Sequence, residues 1–522
     1  MLSQTNTFQF IKRNVRFLIF ILLIQTTGCK NGSTEKWTEN DRAMIDTIVA
    51  RKYRSVPVPG MAVGIVVGDQ IYTRTKGYSD ASTFAPFTDS TIFCSGIISE
   101  TFTASLALAL QDRFKIDLDE PVSKYLSYFA LQSNTYQTIT LKHLLTQSSG
   151  VPRHGVVWDF PDMGDSALYA TTWSIRMQEP EFNQPGTRVV RSPYNFDIAA
   201  DFISHASKMR FERFASDFML DPLDMKHSTY DPKVIFGSAY ARSYQIGDWL
   251  TYRFTPRKDY PVNGEHAGSI GLNTTIEDIT HWMSMLLNNG MYKGKQVFAS
   301  NLVKQMMTPV FRTDQKDSYM GLGWEIKTVN GVQLFFKSGE VGGFDHALLL
   351  IPEFRMGVIV AINAKSDFQP AVFAQELLFS IKNKTIPQYK PSIHVEMGRI
   401  LHSTGSVDQS IAFFNKELQN KSSVYDCSDM ALSQFGSNLL YRLQRQSDAL
   451  KVYQACLSTF PKSPYSHLNL AEYYLTQKDV KKTEMELNTI QKLPKAGSDV
   501  VSRVKMIKGT LALIKEKQSE KE

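Results

Sequence analysis

Hydrophobic and polar positions divide this chain into three stretches of different character. The first is short. Lys12, Arg13 and Arg16 form a positive region, residues 17–24 form an apolar run, and Gln25-Thr26-Thr27-Gly28-Cys29 follows. That order predicts a secretory signal over residues 1–28 with a lipoprotein-type cleavage site, Cys29 as the lipidated residue, and a polar tether over residues 29–36. Thr27 and Gly28 suit such a site; Thr26 replaces the aliphatic residue usual three positions before the cysteine. An uncleaved anchor or an ordinary signal peptide are the alternatives. The apolar run is shorter than the about 20 residues that a membrane-spanning helix needs.

The last stretch begins after a polar segment, residues 383–392, that contains Pro387 and Pro391. From His394 onward strand patterns stop and helical periodicity takes over. Residues 437–453 read as helix, short turn and a second helix with Ala449 near its start, closed by Phe460-Pro461. Leu468-Asn469-Leu470-Ala471-Glu472-Tyr473-Tyr474 opens another unit that closes near Leu493-Pro494, and residues 405–418 suggest an earlier, more divergent one. This resembles a tetratricopeptide array, whose period is about 34 residues, the spacing from Ala449 to Thr483. An all-α tetratricopeptide-like domain is therefore expected over residues 393–515. Such units bury apolar faces by stacking and create a concave surface. The expectation is a docking surface for a protein partner; a helical cap on the preceding domain is the alternative.

Composition changes the picture little. The 522 residues are 43% hydrophobic and 21% charged, values of ordinary globular chains. The net charge of +7 comes without a long basic run, so nucleic acid is not an expected partner. Besides Cys29, the cysteines are Cys94, Cys427 and Cys456; Cys427 and Cys456 could meet between neighbouring helices, or all three could be small buried hydrophobes. His143, His154, His266 and His346 are scattered and form no metal-ligand cluster. They read as structural or surface histidines, and neither a metal nor a cofactor is expected.

The chemistry concentrates in the middle stretch. Phe93-Cys94-Ser95-Gly96-Ile97-Ile98-Ser99-Glu100-Thr101-Phe102-Thr103-Ala104 resembles the active-site helix of the penicillin-binding protein and class C β-lactamase-like serine hydrolases, usually Phe-x-x-Gly-Ser-x-x-Lys-Thr-Phe-Thr-Ala. The second family motif, Pro-Gly-x-x-x-x-Tyr-x-Asn, is matched by Pro185-Gly186-Thr187-Arg188-Val189-Val190-Arg191-Ser192-Pro193. The third, Lys-Thr-Gly, is matched by Lys337-Ser338-Gly339. Residues 59–67, 116–122, 139–150 (the family's "HLLTHTSG") and 319–324 ("YGLGW") resemble further family segments in the family's order, so the resemblance covers residues 37–384. It implies an α/β fold: an antiparallel sheet flanked by helices, built from a hairpin at residues 61–76 and strands over 323–364, with a largely helical region between. The pocket would lie between the active-site helix and the Lys337 strand.

The match is in scaffold, not in reacting groups. Ser-x-x-Lys puts nucleophile and base one helical turn apart, on one face. Here those positions are Ile97 and Glu100, and the second-motif Tyr and Asn are Arg191 and Pro193. Isoleucine has no nucleophilic atom, and glutamate reverses the cation's charge. Taken with the N-terminal signal, these departures from the family motifs lead to the expectation of an envelope lipoprotein whose hydrolase-like domain has lost catalysis and acts as a binding or scaffold module. Its membrane link would be the lipid anchor, in the periplasm or at the outer membrane. Backbone donors survive a Ser→Ile change, so Lys337, Ser338, Gly339, Arg191 and Glu100 are the candidate binding residues, for a peptide or cell-wall-type ligand with a carboxylate. Alternatively Glu100 pairs with Arg191 or Lys337 and fills the old centre. The competing class is an active hydrolase using Ser95, Ser99 or Ser338. Ser99 stands two residues from the proper position, about 200° around the helix. A decayed gene product without a selected role is the remaining alternative. Ser33-Thr34-Glu35-Lys36 also matches Ser-x-x-Lys, but in a tether without a pocket.

Overall fold

The computed structural model describes residues 37–153, 164, 166–236, 239–261, 264–329, 331–493 and 498–519. The expected signal, the tether, Cys29 and His154 lie outside the described residues. Among the described residues no helix is long and apolar enough to cross a membrane.

The first helix, α1 (Glu39–Ser55), starts at a capping box: the Thr38 hydroxyl accepts from the Asp41 amide at 3.2 Å, and the Asp41 carboxylate accepts from the Thr38 amide at 3.0 Å. The hairpin β1 (Gly60–Val67) and β2 (Gln70–Asp80) follows. A long excursion then carries α2 (Ser99–Phe114), α3 (Tyr194–Ser207), the small hairpin β3 (Tyr244–Asp248) and β4 (Arg253–Pro256), and α4 (Ile276–Leu287). The chain returns as β5 (Glu325–Val329), β6 (Val332–Val341), β7 (Phe344–Ile351) and β8 (Met356–Ile362).

Among the described residues the largest sheet has nine strands, in the order β5-β6-β7-β8-β1-β2 with short strands added at both edges. Its pairings are antiparallel. Met61 lies opposite Ile362, so the first strand of the domain is zipped to the last long one. Seven consecutive residues of β1, Gly60–Val66, are buried. Both faces of the sheet are covered, so this strand is apolar throughout instead of alternating. On one face α1 and α5 (Pro370–Asn383) pack Ile48, Val49, Phe373 and Leu377 against Val63 and Val360. On the other, α2, α3 and α4 build the larger core, where Trp282 stacks on Phe102 at 4.2 Å and on Trp324 at 5.8 Å. Helix α2 runs through this core with Ser99 to Leu110 buried.

After α5 the chain is helical: α6 (His394–Thr404), α7 (Val407–Gln419), α8 (Asp429–Ser437), α9 (Gln446–Thr459), α10 (Pro464–Thr476), α11 (Val480–Lys492) and α12 (Ser498–Ser519). Consecutive helices pack in pairs, α6 with α7, α8 with α9 and α10 with α11. Two apolar clusters run along the stack, one around Leu401, Phe414 and Tyr453 and one around Leu468, Leu487 and Ile507. The three described cysteines are free thiols, Cys94 and Cys456 buried among neighbours and Cys427 half-buried.

Candidate functional site

The first-motif segment enters α2 through a single 3₁₀ turn, Gly96–Ile98. That turn is pinned from behind. The Ser95 amide and hydroxyl both donate to the Leu272 carbonyl, at 2.9 and 2.8 Å; the Ser99 hydroxyl donates to the Gly96 carbonyl at 2.7 Å and accepts from the Leu272 amide at 3.0 Å. Both serines are fully buried and serve as internal hydrogen-bonding groups. Burial likewise pushes the Cys94 thiol up to about 12, which keeps it un-ionised.

With the turn fixed, Ile97 lies directly over β6. A Cβ placed on Gly339 would stand 2.3 Å from Ile97 Cδ1 and 2.6 Å from Cγ1. The isoleucine side chain therefore occupies the space above the glycine of the third motif, and only a residue without a side chain fits beneath it.

Glu100 follows three residues later, on the same face of the helix. Its Oε2 forms an ion pair with Lys337 Nζ, and the two side chains are 6% and 3% exposed as residues. Burial holds the Glu100 carboxyl above its ordinary range, against the opposing pull of the Lys337 and Arg191 cations. The Lys337 ammonium also sits 5.5 Å from the centre of the Phe196 ring on α3. Gln147 touches the pair through Nε2, 3.5 Å from Glu100 Oε2, while its Oε1 accepts from the Ser192 amide at 2.8 Å and from the Asn195 amide group. Arg191, one third exposed, pairs with Glu325 at the start of β5. Two carboxylates and two cations thus neutralise each other where the resembling enzymes keep a nucleophile and its bases.

Of the sequence-expected residues, Ile97, Glu100, Arg191, Lys337 and Gly339 converge. The expected choice between Arg191 and Lys337 as the partner of Glu100 falls to Lys337, because Arg191 is taken by Glu325. Pro193 occupies the N-cap of α3, where its carbonyl accepts from Phe196 and Asp197 amides at 3.0 and 3.2 Å. Ser338 is separated from the group. It pairs in register with Ala347, part of the cluster under α5, and strand alternation sends it to that face, while Lys337 and Gly339 meet Glu100 and Ile97. His143, His266 and His346 are partly or fully buried and hydrogen-bonded, His266 to Asp197 at 2.6 Å and His346 to the Cys94 carbonyl.

Reasoning from sequence missed Gln147, Asn195 and Glu325. Two carried a readable signal: Gln147 stands where the "HLLTHTSG" stretch has its second histidine, and Glu325 is a charged residue directly after Trp324 in a buried strand.

This scaffold has relatives. The family model described as Beta-lactamase matches residues 45–381. Protein flp of Staphylococcus aureus strain MW2 is 26% identical over 339 residues, 64% of this chain and 65% of its own length. The Beta-lactamase of Escherichia coli K12 is 25% identical over 342 residues, 59% of this chain and 84% of its own. This chain thus spans about 65% of the flp relatives it matches. Among solved structures, the octameric penicillin-binding protein homologue from Pyrococcus abyssi superposes with a TM-score of 0.56 at 22% identity, over 70% of this chain and 81% of that one, a likeness of fold. Matched over well more than half its length, the chain belongs to the beta-lactamase family.

Proposed function

We propose that this protein is a non-catalytic member of its family: an envelope lipoprotein whose hydrolase-like domain is a sealed scaffold and whose helical, tetratricopeptide-like region presents a surface to a protein partner. The observation that carries this reading is the joint placement of Ile97 over Gly339 and of Glu100 on Lys337. The first removes the nucleophile and fills its space. The second removes the base and neutralises the cation of the third motif. A carboxylate-bearing peptide or cell-wall ligand has to displace Glu100 from Lys337 before it can use that ammonium, so binding there competes with a contact inside the protein. No observation favours a substitute nucleophile, since Ser95 and Ser99 are buried and bonded to backbone and Ser338 faces the cluster under α5.

The test is covalent labelling. The chain from Asn31 onward is incubated with a fluorescent penicillin and, separately, a fluorophosphonate, and intact mass is recorded. The unmodified mass is expected with both. A stoichiometric adduct with either overturns the reading, and peptide mapping would then locate the nucleophile.

A further inference from the structure

The turn between β3 and β4 leaves the first domain and enters the helical region. Asp248 shapes it, accepting from the Leu250 amide at 2.9 Å and the Thr251 hydroxyl at 2.6 Å. Three of its side chains then meet the helices. Leu250 joins the apolar cluster of Leu401, Phe414 and Tyr453, and its backbone lies so close to Gly398 of α6 that a Cβ there would stand 2.1 Å from the Leu250 carbonyl oxygen. The Trp249 ring carries the Arg442 guanidinium 4.5 Å from its centre. Tyr252, 5% exposed, uses its hydroxyl fully: it donates to Asp367 and accepts from Asn438 Nδ2 at 2.9 Å and from His394 Nε2 at 2.7 Å. Gln434 Nε2 donates to the same Asp367 at 3.1 Å, and the Ser392 hydroxyl holds His394 Nδ1 at 2.6 Å.

We infer that residues 248–253 are a built-in ligand of the helical region, seated on the first helices of its first two pairs with Tyr252 as the anchor. The helical region's contacts have the form of a peptide site: an aromatic hydroxyl met by an imidazole and an amide, a cation over an indole, and a glycine that lets the peptide backbone touch the helix, while the carboxylate, Asp367, comes from the first domain itself. His394, Gly398, Gln434, Asn438 and Arg442 come from α6, α8 and the helical turn after it. This face is therefore used inside the chain and holds the helical region as a fixed cap. An outside protein that uses this same face has to compete with the turn.

The experiment compares the full chain with Tyr252→Ala and with Asn438→Ala/Gln434→Ala, the second set altering only the helical side. Limited proteolysis of the segment 384–392 and hydrogen exchange by mass spectrometry are read together. At least tenfold faster cleavage there, and faster exchange in α6 and α8 with β6 to β8 unchanged, is expected of both. Cleavage and exchange at the wild-type rate in the helical-side variant overturn the inference, whatever Tyr252→Ala does to folding.

Discussion

At the scale of single residues, the question is why Glu100 tolerates burial. An isolated carboxylate there would be strongly destabilising; the Lys337 partner offsets part of the desolvation, and removing one member leaves the other charged and alone. Glu100→Leu and Lys337→Met are each expected to lower stability by about 3–5 kcal/mol, whereas the two combined return close to the wild type. Urea unfolding of the three proteins checks this, and simple additivity of the single losses would show that the pair is not coupled. The contact of Ile97 with Gly339 makes a second prediction. Gly339→Ala should cost roughly 1–3 kcal/mol through overpacking, and Ile97→Ala in the same chain should recover most of it. Ile97→Ser alone should remain unreactive toward penicillin, because the neighbouring base is still a glutamate tied to Lys337; an adduct on that single variant would show that Glu100 is no obstacle.

At the scale of elements, much was legible. The ordered motifs placed a helix after Gly96, a hairpin at the start of the domain and strands near its end, because each motif is welded to one element by its glycines and apolar run. Pairing of Glu100 with a cation was legible from the opposite charges at positions 100, 191 and 337. Which cation wins was not, since it depends on Glu325, a residue 134 positions from Arg191 that only the folded β5 brings near. Nor was the turn of Ser338 toward the α5 face, which follows from the pleat of β6. The seat of the β3–β4 turn was hidden for the same reason: Tyr252, Asp367, His394 and Asn438 share no local pattern. That seat carries a pH prediction. Burial pushes His394 down to about 4, against Asp367 and Asp426, which pull it up. The folded state prefers neutral imidazole, so its contribution is whole above about pH 6.5 and is lost as pH falls from there toward 4, at up to about 1.4 kcal/mol per unit. Protection of α6 from hydrogen exchange should therefore fall by pH 5 in the wild type. A chain whose α6 protection is flat from pH 7 to pH 5 would remove His394 from this role.

At the scale of the whole molecule, a beta-lactamase family domain is joined to a helical stack that receives its β3–β4 turn, with Tyr252 buried at the junction. Family membership explains the fold, and the side chains at four positions explain the proposed loss of reaction. If those four side chains alone separate this chain from a reactive one, replacing them should restore acylation. The most direct measurement sets the wild type beside a variant carrying Ile97→Ser, Glu100→Lys, Arg191→Tyr and Pro193→Asn, both treated with fluorescent penicillin and read by intact mass. The wild type should stay unmodified and the variant should become heavier by one probe, attached at position 97. An adduct on the wild type, or a folded variant that stays unmodified, would contradict this reading.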